Sequence, residues 1–422
     1  MEGSVNFLLQ ICGAGACVGV AVLVYRDSLR WWRRCQRLQD QRTAERKAFR
    51  DQVAITAQQT RLLPEYERAW EDYRKLRVVA IVEECRDIKS FYLADPDGRA
   101  LPEFLPGQHL TVQLPTEGTK SPTVRCYSLS DVPRDESYRL SIKRCGPPPN
   151  APEAPEGVGS CWIHDNVRVG DELNFGPPSG DFYLDMSSQS PIVLIAGGIG
   201  ITPIISMALQ LALRGIKRET YLILAMRGAA DFPFRQVVEE LRGISPRLQV
   251  FVAFSEAEEG DIKGRDFQHK GYVDIDFLRS VLPSNNYDFY VCGPPPMMQT
   301  LVPGLYDWGV PDERVHFEAF GPASVPRRSD EDLAADAVGL QVKFARRKEE
   351  VCWPENCQTI LELAEQFGIP MESGCRVGNC GQCATPIVEG SIKTVKRPGA
   401  IPPPDHCLTC ISVPTSPLIL DV

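Results

Sequence analysis

The sequence has no net positive charge, few histidines and too few cysteines for a disulfide-rich scaffold. Its formal net charge is −9, which leaves no electrostatic footprint for nucleic acid. The five histidines are spread along the chain without a metal-ligand pattern. Fifteen cysteines in 422 residues are far below the density of a disulfide scaffold, and most are expected to be reduced and buried. These absences exclude a nucleic-acid-binding protein and a small disulfide-stapled module.

An uncharged, apolar run occupies residues 5–25, VNFLLQICGAGACVGVAVLVY. As a helix it is long enough to cross a hydrocarbon core of about 30 Å. A cleavable signal peptide would carry positive charge before the run, where only Glu2 lies. The other flank carries the basic and aromatic residues typical of the cytoplasmic side: Arg26, Arg30, Trp31, Trp32, Arg33, Arg34 and Arg37. We therefore expect a single-pass anchor in the cell membrane with the globular part in the cytoplasm. Gly15 and Gly19 have the spacing of a weak homodimer contact through the span.

Changes in composition and periodicity divide the chain into domains. A segment rich in Gln, Arg, Glu and Ala predicts a charged helical stalk. After it, short β-branched and aromatic runs separated by turn signals predict an antiparallel β-barrel. Strand-like runs then alternate with helical ones, which predicts an α/β domain with a parallel, doubly wound sheet. The predicted division is an anchor at 1–35, a stalk at 36–76, the barrel at 77–188, the α/β domain at 189–320, a polar linker at 321–338 and a last domain at 339–422.

Three cysteines are crowded together in the last domain, in the stretch GCRVGNCGQC. Cys375, Cys380 and Cys383 have the spacing of a plant-type 2Fe–2S site. A zinc site remains an alternative because a second CxxC follows at Cys407 and Cys410. Glycines between the cysteines favour the cluster, since they let backbone N–H groups approach the sulfur atoms. A disulfide is disfavoured in a cytoplasmic domain.

Residues 339–422 resemble a plant-type ferredoxin, in the helix and cluster loop TILELAEQFGIPMESGCRVGNCGQC and in the closing segment CLTCISVP. The resemblance implies an α+β ferredoxin-like fold of the β-grasp type. It also implies that Cys410 is the fourth ligand and that Cys407 is a neighbouring thiol. Cys352 and Cys357 match nothing in the family pattern and are interpreted as structural. Zinc bound by the two CxxC pairs stays as the minor alternative.

The stretch RCYSLS, 125–130, lies between predicted barrel strands and upstream of a nucleotide fold. In that setting it resembles the flavin motif of the ferredoxin–NADP⁺ reductase superfamily. The resemblance implies that Arg125 pairs with the flavin phosphate, that Tyr127 packs on the flavin and that Ser128 hydrogen-bonds the ring near N5, with Cys126 between them. The later stretch GVGS opens a helix at Gly159 and Ser160, whose amides suit the pyrophosphate.

Two further stretches resemble the nicotinamide site of the same superfamily. GGIGITP follows a buried strand, and the resemblance implies that its glycines admit the pyrophosphate while the threonine supplies a hydroxyl. CGPPPMM resembles the turn beside the nicotinamide, where the cysteine is a small residue that permits close approach and is no nucleophile. In FEAFGP, Phe320 matches an aromatic that covers the flavin, although a core phenylalanine is an alternative. The site residues implied in these three stretches are Gly197, Gly198, Gly200, Thr202, Cys292, Gly293, Pro294 and Phe320.

Together these resemblances imply an oxidoreductase of the phthalate dioxygenase reductase, vanillate demethylase reductase and hybrid-cluster-protein reductase type. We expect it to pass electrons from NADH through a flavin and a 2Fe–2S cluster to a partner protein, an oxygenase or hydroxylase. FAD is favoured over FMN by the GVGS and FEAFGP segments. NADH is favoured over NADPH because Arg227 lacks an accompanying serine and a second nearby base. The alternatives are another acceptor, such as a quinone or a hybrid-cluster protein, and a redox sensor or scaffold without turnover.

Overall fold

The computed structural model describes residues 70, 73–115, 123–147, 153, 156–320, 335–376, 378, 381–395 and 402–422. The predicted anchor, nearly all of the predicted stalk and most of the linker lie outside these residues. No helix in the described part is both long and apolar enough to cross a membrane. The predicted span at 5–25, with its glycine pair, therefore stays a prediction.

The first domain is a closed antiparallel sheet. Its six strands run in the order β4-β3-β6-β1-β2-β5. Leu129, just after β4, bridges to Leu140 in β5, so the two outer strands meet and the sheet becomes a barrel. Helix α1 (Val158–Asn166) packs beside it. The strands are β1 (Arg74–Cys85), β2 (Ile88–Ala94), β3 (His109–Leu114), β4 (Thr123–Ser128), β5 (Tyr138–Lys143) and β6 (Glu172–Phe175).

The barrel begins earlier in the chain than the predicted boundary between stalk and barrel. The predicted helical stalk extends to residue 76, but the structure has a strand from Arg74. The reason is tertiary, because Leu76 pairs with Leu173 of β6 and is fully buried in the barrel core. A charged local composition predicts a helix there, whereas the buried leucine requires an extended strand.

The second domain is a six-stranded parallel sheet in the order β10-β9-β8-β7-β11-β12. Its helices lie on both faces: Ile204 and Val238 belong to one core, and Leu278 and Leu301 to the other. The strand order reverses at β7, which is where such sheets bind nucleotides. The elements are β7 (Ile192–Gly197), α2 (Ile201–Leu213), β8 (Thr220–Met226), α3 (Arg235–Arg242), β9 (Leu248–Phe254), β10 (His269–Lys270), α4 (Ile275–Val281), β11 (Asp288–Gly293), α5 (Pro295–Asp307) and β12 (Val315–Ala319).

The third domain combines a mixed sheet, in the order β14-β13-β19-β15-β17, with a separate two-stranded antiparallel sheet of β16 and β18. Helix α6 (Ile360–Gln366) begins at Thr359, whose hydroxyl accepts a hydrogen bond from the Glu362 amide at 3.2 Å. Trp353 is 1% exposed and anchors the core. The strands are β13 (Gln341–Phe344), β14 (Glu349–Cys352), β15 (Ala384–Glu389), β16 (Ile392–Thr394), β17 (His406–Leu408), β18 (Ser412–Pro414) and β19 (Leu418–Leu420).

Candidate flavin, nucleotide and iron–sulfur sites

The RCYS segment forms most of β4 and pairs with β3, so its position in the barrel is fixed by backbone hydrogen bonds. Arg125 and Tyr127 alternate with Cys126 and Ser128 along the strand, and therefore each pair faces one side of the sheet. Burial raises the pKa of the Tyr127 hydroxyl well above its usual range, and the ring stays neutral. The predicted flavin residues thus lie on one rigid strand.

Helix α1 brings the GVGS segment against this strand. A Cβ atom on Gly159 would lie 2.7 Å from Cγ of Arg125 and 3.3 Å from the hydroxyl oxygen of Tyr127. The absence of a side chain at this position is therefore what lets the first turn of the helix approach the arginine. Its N-cap, Gly157, offers no side-chain cap to the first N–H groups. An arginine next to such a turn fits an anionic group such as pyrophosphate.

The Ser160 hydroxyl makes two hydrogen bonds to the backbone. Its hydroxyl accepts a hydrogen bond from the Cys145 amide at 3.2 Å and donates to the Gly157 carbonyl at 3.3 Å. In this structure it ties the start of α1 to the end of β5. Binding of the flavin by Ser160 itself remains a prediction.

Ser128 carries a buried hydroxyl with no hydrogen-bond partner. The residue is 4% exposed, so it is shielded from bulk solvent. A buried polar group left in this state costs about 1–3 kcal/mol. The polar edge of a flavin ring held against β4 would supply the partner. The unpartnered Ser128 hydroxyl therefore fits a bound flavin.

Two residues that the sequence reasoning did not select join Ser128. His109 lies directly opposite Ser128 in the β3–β4 pair. Its Nδ1 atom is 3.6 Å from Oε1 of Glu318, which comes from β12 of the nucleotide domain, and the second carboxylate oxygen is buried without a partner. A sequence signal did exist, since Glu318 is an acidic residue inside the short strand VHFEA at the end of a parallel sheet.

Cys292 lies beside Glu318 as its ladder partner. Complete burial, and secondarily the nearby carboxylate, raise the pKa of its thiol well above the usual range. The thiol stays protonated and small, which agrees with the predicted absence of a nucleophile here. Phe320 follows β12 and is half-buried against the core of the nucleotide domain, so its side chain has a packing role as well as its predicted covering role.

The GGIG and CGPP turns pack directly on each other. A Cβ atom on Gly200 would overlap the Cys292 carbonyl, and one on Gly197 would overlap the Met297 sulfur and the ring of Pro294. Gly198 adopts a φ of 51°, which favours glycine. The two glycine turns thus form one narrow edge at the point where the strand order reverses, between β7 and β11.

Thr202 does not offer a free hydroxyl at this edge. It is 2% exposed and donates to the Ile199 carbonyl at 3.0 Å, which stabilises the turn into α2. Gly293 ends β11, and Pro294 caps α5. Glycine backbone therefore provides most of the approach surface for a dinucleotide.

The cluster loop includes Cys375, Cys383 and Cys410 among the described residues, whereas Cys380 lies outside them. The sulfur atoms of Cys383 and Cys410 are 3.2 Å apart, and both residues are buried. Their hydrogen bond lowers the pKa of Cys383 to about 7, so that one of the two is readily deprotonated. The same hydrogen bond raises the pKa of the Cys410 thiol well above its usual range. Metal centres bind thiolates, and a buried pair in which one thiol ionises readily suits that chemistry.

The charge of an ionised Cys375 contributes to raising the pKa of both of these thiols. Within the described ranges, however, no three potential ligands are close enough to hold a metal ion. Gly378 has a φ of 79°, and a Cβ there would lie 2.6 Å from Cδ1 of Ile411, so the loop packs tightly beside Cys410. Two of the four predicted ligands, Cys383 and Cys410, are thus adjacent, and Gly378 lets the loop pack beside Cys410.

Two of the remaining cysteines of this domain, Cys357 and Cys407, behave as core residues. Burial raises the pKa of Cys407 to about 12 and that of Cys357 to about 12. Cys357 donates its S–H to the Thr359 carbonyl at 3.3 Å. Cys352 is exposed at the end of β14. These positions agree with the structural interpretation of Cys357 and with the interpretation of Cys407 as a thiol beside the loop.

Comparison with family models matches all three domains. An oxidoreductase FAD-binding domain matches residues 75–183, and an oxidoreductase NAD-binding domain matches residues 194–302. A 2Fe-2S iron-sulfur cluster binding domain matches residues 342–415. The predicted barrel, parallel-sheet and iron–sulfur domain classes are thereby confirmed, as are the three cofactor classes.

Individual relatives cover different parts of the chain. A flavohemoprotein of Bacillus thuringiensis subsp. konkukian is 36% identical over 272 residues, which is 64% of this chain and 67% of that protein. The FAD/NAD-binding domain of a nitric oxide dioxygenase from Vibrio cholerae is 31% identical, with a TM-score of 0.52 over 60% of this chain and all of that one. Phthalate dioxygenase reductase is 28% identical, with a TM-score of 0.50 over 83% of this chain and 98% of that one.

Proposed function

The chain belongs to the FAD- and NAD-binding oxidoreductase family and carries a 2Fe–2S domain after its nucleotide domain, and we propose that it is the reductase component of an oxygenase system. It takes electrons from NADH and delivers them singly to a partner protein. The observation that carries this proposal is the likeness to phthalate dioxygenase reductase across flavin, nucleotide and iron–sulfur domains in one order. That protein is described as moving electrons from pyridine nucleotides to a 2Fe–2S centre.

The flavin converts a two-electron donor into a one-electron supply. The residues of the chain bind and orient the groups. Arg125 and the α1 turn at Gly159 suit the flavin phosphates, and the Ser128 hydroxyl suits the polar edge of the ring. The two packed glycine turns leave room for a dinucleotide backbone, while Cys292 keeps the adjoining surface small and uncharged.

Charge at the end of β8 supports NADH as the donor. In doubly wound sheets the residue at this place meets the adenosine ribose, and an arginine there can hold the 2′-phosphate of NADPH. Here Arg227 is already paired, with its Nε atom 3.8 Å from Oε2 of Glu256. The Asp261 carboxylate lies close to Gly228, where a Cβ would be 3.6 Å from Oδ2. One carboxylate beside the arginine and a second beside the following glycine disfavour a dianionic phosphate.

We also propose that the protein works at the cytoplasmic face of the cell membrane, with the oxygenase at the same membrane. The support is the apolar run at residues 5–25 with its basic flank. Anchoring two partners to one surface raises their effective concentration. Another acceptor, such as a quinone or a hybrid-cluster protein, stays the alternative, and a sensor without turnover would show no sustained NADH oxidation.

Anaerobic titration with NADH tests the electron path. NADH should bleach the flavin absorbance and then produce the EPR signal of a reduced 2Fe–2S centre. In Cys410→Ala, reduction of cytochrome c should disappear, while reduction of ferricyanide by the flavin should persist. A bleached flavin without an EPR signal in the unmodified protein would contradict the path. Retained cytochrome c reduction in the variant would contradict the place of the cluster after the flavin.

A further inference from the structure

The barrel and the nucleotide domain meet at segment 227–234, which follows β8, and we infer that Arg139 of the barrel positions this segment for the adenosine half of NADH. The inference rests on the proposed function, in which NADH is the donor. In doubly wound sheets the residues at this place face the adenosine ribose. Arg139 therefore determines how tightly NADH binds, and it takes no part in the transfer of the hydride.

The segment ends in a residue with a strained backbone. Phe234 has a φ of 58° and a ψ of 22°, in the left-handed region that a bulky residue rarely adopts. It is the N-cap of helix α3, yet its side chain offers no hydrogen bond to the first N–H groups of the helix. Its ring is 4% exposed. Backbone strain of this kind persists only where the surroundings hold it, and it is common where a protein holds a ligand.

The group that holds this ring belongs to the barrel. The guanidinium carbon of Arg139, in β5, lies 4.7 Å from the centroid of the Phe234 ring, which is the distance of a cation–π contact. Arg139 is 7% exposed. Such contacts are stronger when they are shielded from water, so an isolated arginine of one domain holds the strained phenylalanine of the other.

The guanidinium is itself fixed from the barrel side. Its Nε–H group donates to the Ser130 hydroxyl at 3.2 Å, and a terminal N–H group donates to the Ser130 carbonyl. The Ser130 hydroxyl also shares a hydrogen bond of 2.8 Å with the Ser141 hydroxyl. Ser130 is fully buried. Two hydrogen bonds to one buried residue keep the side chain in one orientation, and the barrel therefore presents a fixed cation to Phe234.

A second contact with the barrel lies in the middle of the same segment. The backbone N–H of Arg86, in the turn between β1 and β2, donates to the Ala230 carbonyl at 3.2 Å. The barrel thus holds the segment at its middle through Arg86 and at its end through Arg139. Loss of the second contact frees Phe234 to relax, and the relaxation moves the residues between it and Arg227 that face the ribose.

Anaerobic stopped-flow bleaching of the flavin tests the inference, because its dependence on NADH concentration gives both the Kd of NADH and the limiting rate. In Arg139→Met the Kd should rise about tenfold, while the limiting rate stays within about twofold. Reduced nicotinamide mononucleotide lacks the adenosine half. It should bleach the unmodified protein and Arg139→Met with the same concentration dependence.

Phe234→Leu removes the aromatic ring without any change in the barrel. It should raise the Kd of NADH by about as much as Arg139→Met, and the double variant should bind no more weakly than either single variant, because one contact is lost in all three. If Arg139→Met loses its flavin, Phe234→Leu decides the question. A higher Kd with a normal limiting rate supports the inference, and an unchanged Kd overturns it.

Arg279→Met is the matched control. The guanidinium carbon of Arg279 lies 5.6 Å from the ring centroid of Trp308, which packs against the core on the other face of the parallel sheet. This variant removes an arginine–aromatic contact away from segment 227–234 and should leave the Kd of NADH unchanged.

Equal weakening of NADH and of the mononucleotide in Arg139→Met would overturn the inference, because the effect would then not depend on adenosine. A lower limiting rate with an unchanged Kd, or additive effects in the double variant, would overturn it too. Failure of NADH to bleach the flavin in the unmodified protein is a different result. It would contradict the proposed function itself.

Discussion

Ser128 is expected to lower the stability of the flavin-free protein while it contributes to the reaction of the bound flavin. Its buried hydroxyl has no partner when the flavin is absent. Ser128→Ala should therefore stabilise the flavin-free protein by about 1 kcal/mol, in urea unfolding followed by fluorescence. In the holoprotein it should slow NADH-dependent bleaching by about tenfold, since a hydrogen bond to the ring is lost.

Ser130→Ala is the control for this prediction. The Ser130 hydroxyl is buried but paired, with the Arg139 carbonyl at 3.1 Å and the Ser141 hydroxyl at 2.8 Å. Its removal should destabilise the flavin-free protein by about 1 kcal/mol. Destabilisation by both variants would show that Ser128 has a partner in solution.

Glu256 is expected to set the choice between the two dinucleotides. Glu256→Gln releases Arg227 and removes one negative charge, so kcat/KM for NADPH should rise about threefold to fivefold while that for NADH changes little. Both side chains are more than half exposed, which keeps the effect modest. Glu240→Gln, on helix α3, removes a half-buried charge elsewhere in the domain and should leave the ratio unchanged. A preference for NADPH in the unmodified protein would overturn the assignment of the donor.

At the scale of elements, the contact between α1 and β4 should control flavin affinity. Gly159→Ala places a methyl group against Arg125 and should weaken FAD binding about tenfold, measured by titration of the flavin-free protein. Gly146→Ala is the matched control, since its added Cβ would meet nothing within 4 Å. Equal affinity of the two variants would mean that α1 does not approach the flavin phosphates.

The cluster loop depends on a glycine in the same way. Gly378→Ala combines a strained backbone, at about 1–2 kcal/mol, with an overlap on Ile411. We expect less iron and acid-labile sulfide per chain and a weaker EPR signal after reduction. Gly368→Ala carries similar strain at a φ of 68° but has open space around its Cβ. A normal cluster content in Gly378→Ala would show that the loop adapts to the methyl group.

Secondary structure could be predicted from the sequence wherever the local residue pattern and the tertiary burial favour the same element. The alternating strands and helices of the nucleotide domain are an example, because β7 is an apolar run that is buried on both faces. The entry into the barrel was predicted wrongly at residues 74–76. There the charged neighbours favoured a helix, and only the pairing of Leu76 with Leu173 requires a strand.

At the scale of the whole molecule, the apolar run at 5–25 should decide where the reductase works. A variant without these residues should move from the membrane fraction to the soluble fraction, while NADH-dependent ferricyanide reduction stays the same, because the flavin and nucleotide sites lie elsewhere in the chain. Electron delivery to a membrane-bound acceptor should fall. A full-length chain found in the soluble fraction would contradict the anchor.

The sequence by itself determined the cofactors and their order, because each is recognised by a contiguous segment whose chemistry is local. An arginine and a serine on one strand, glycines at a strand end and closely spaced cysteines are readable without coordinates. Only the tertiary structure brought His109 beside Glu318, since one begins a barrel strand and the other ends a strand of the nucleotide domain. Only burial assigned the hydroxyls of Ser160 and Thr202 to backbone partners and left that of Ser128 without one. Hydrogen-bond satisfaction depends on all the neighbours of an atom, and most of those neighbours are distant in sequence.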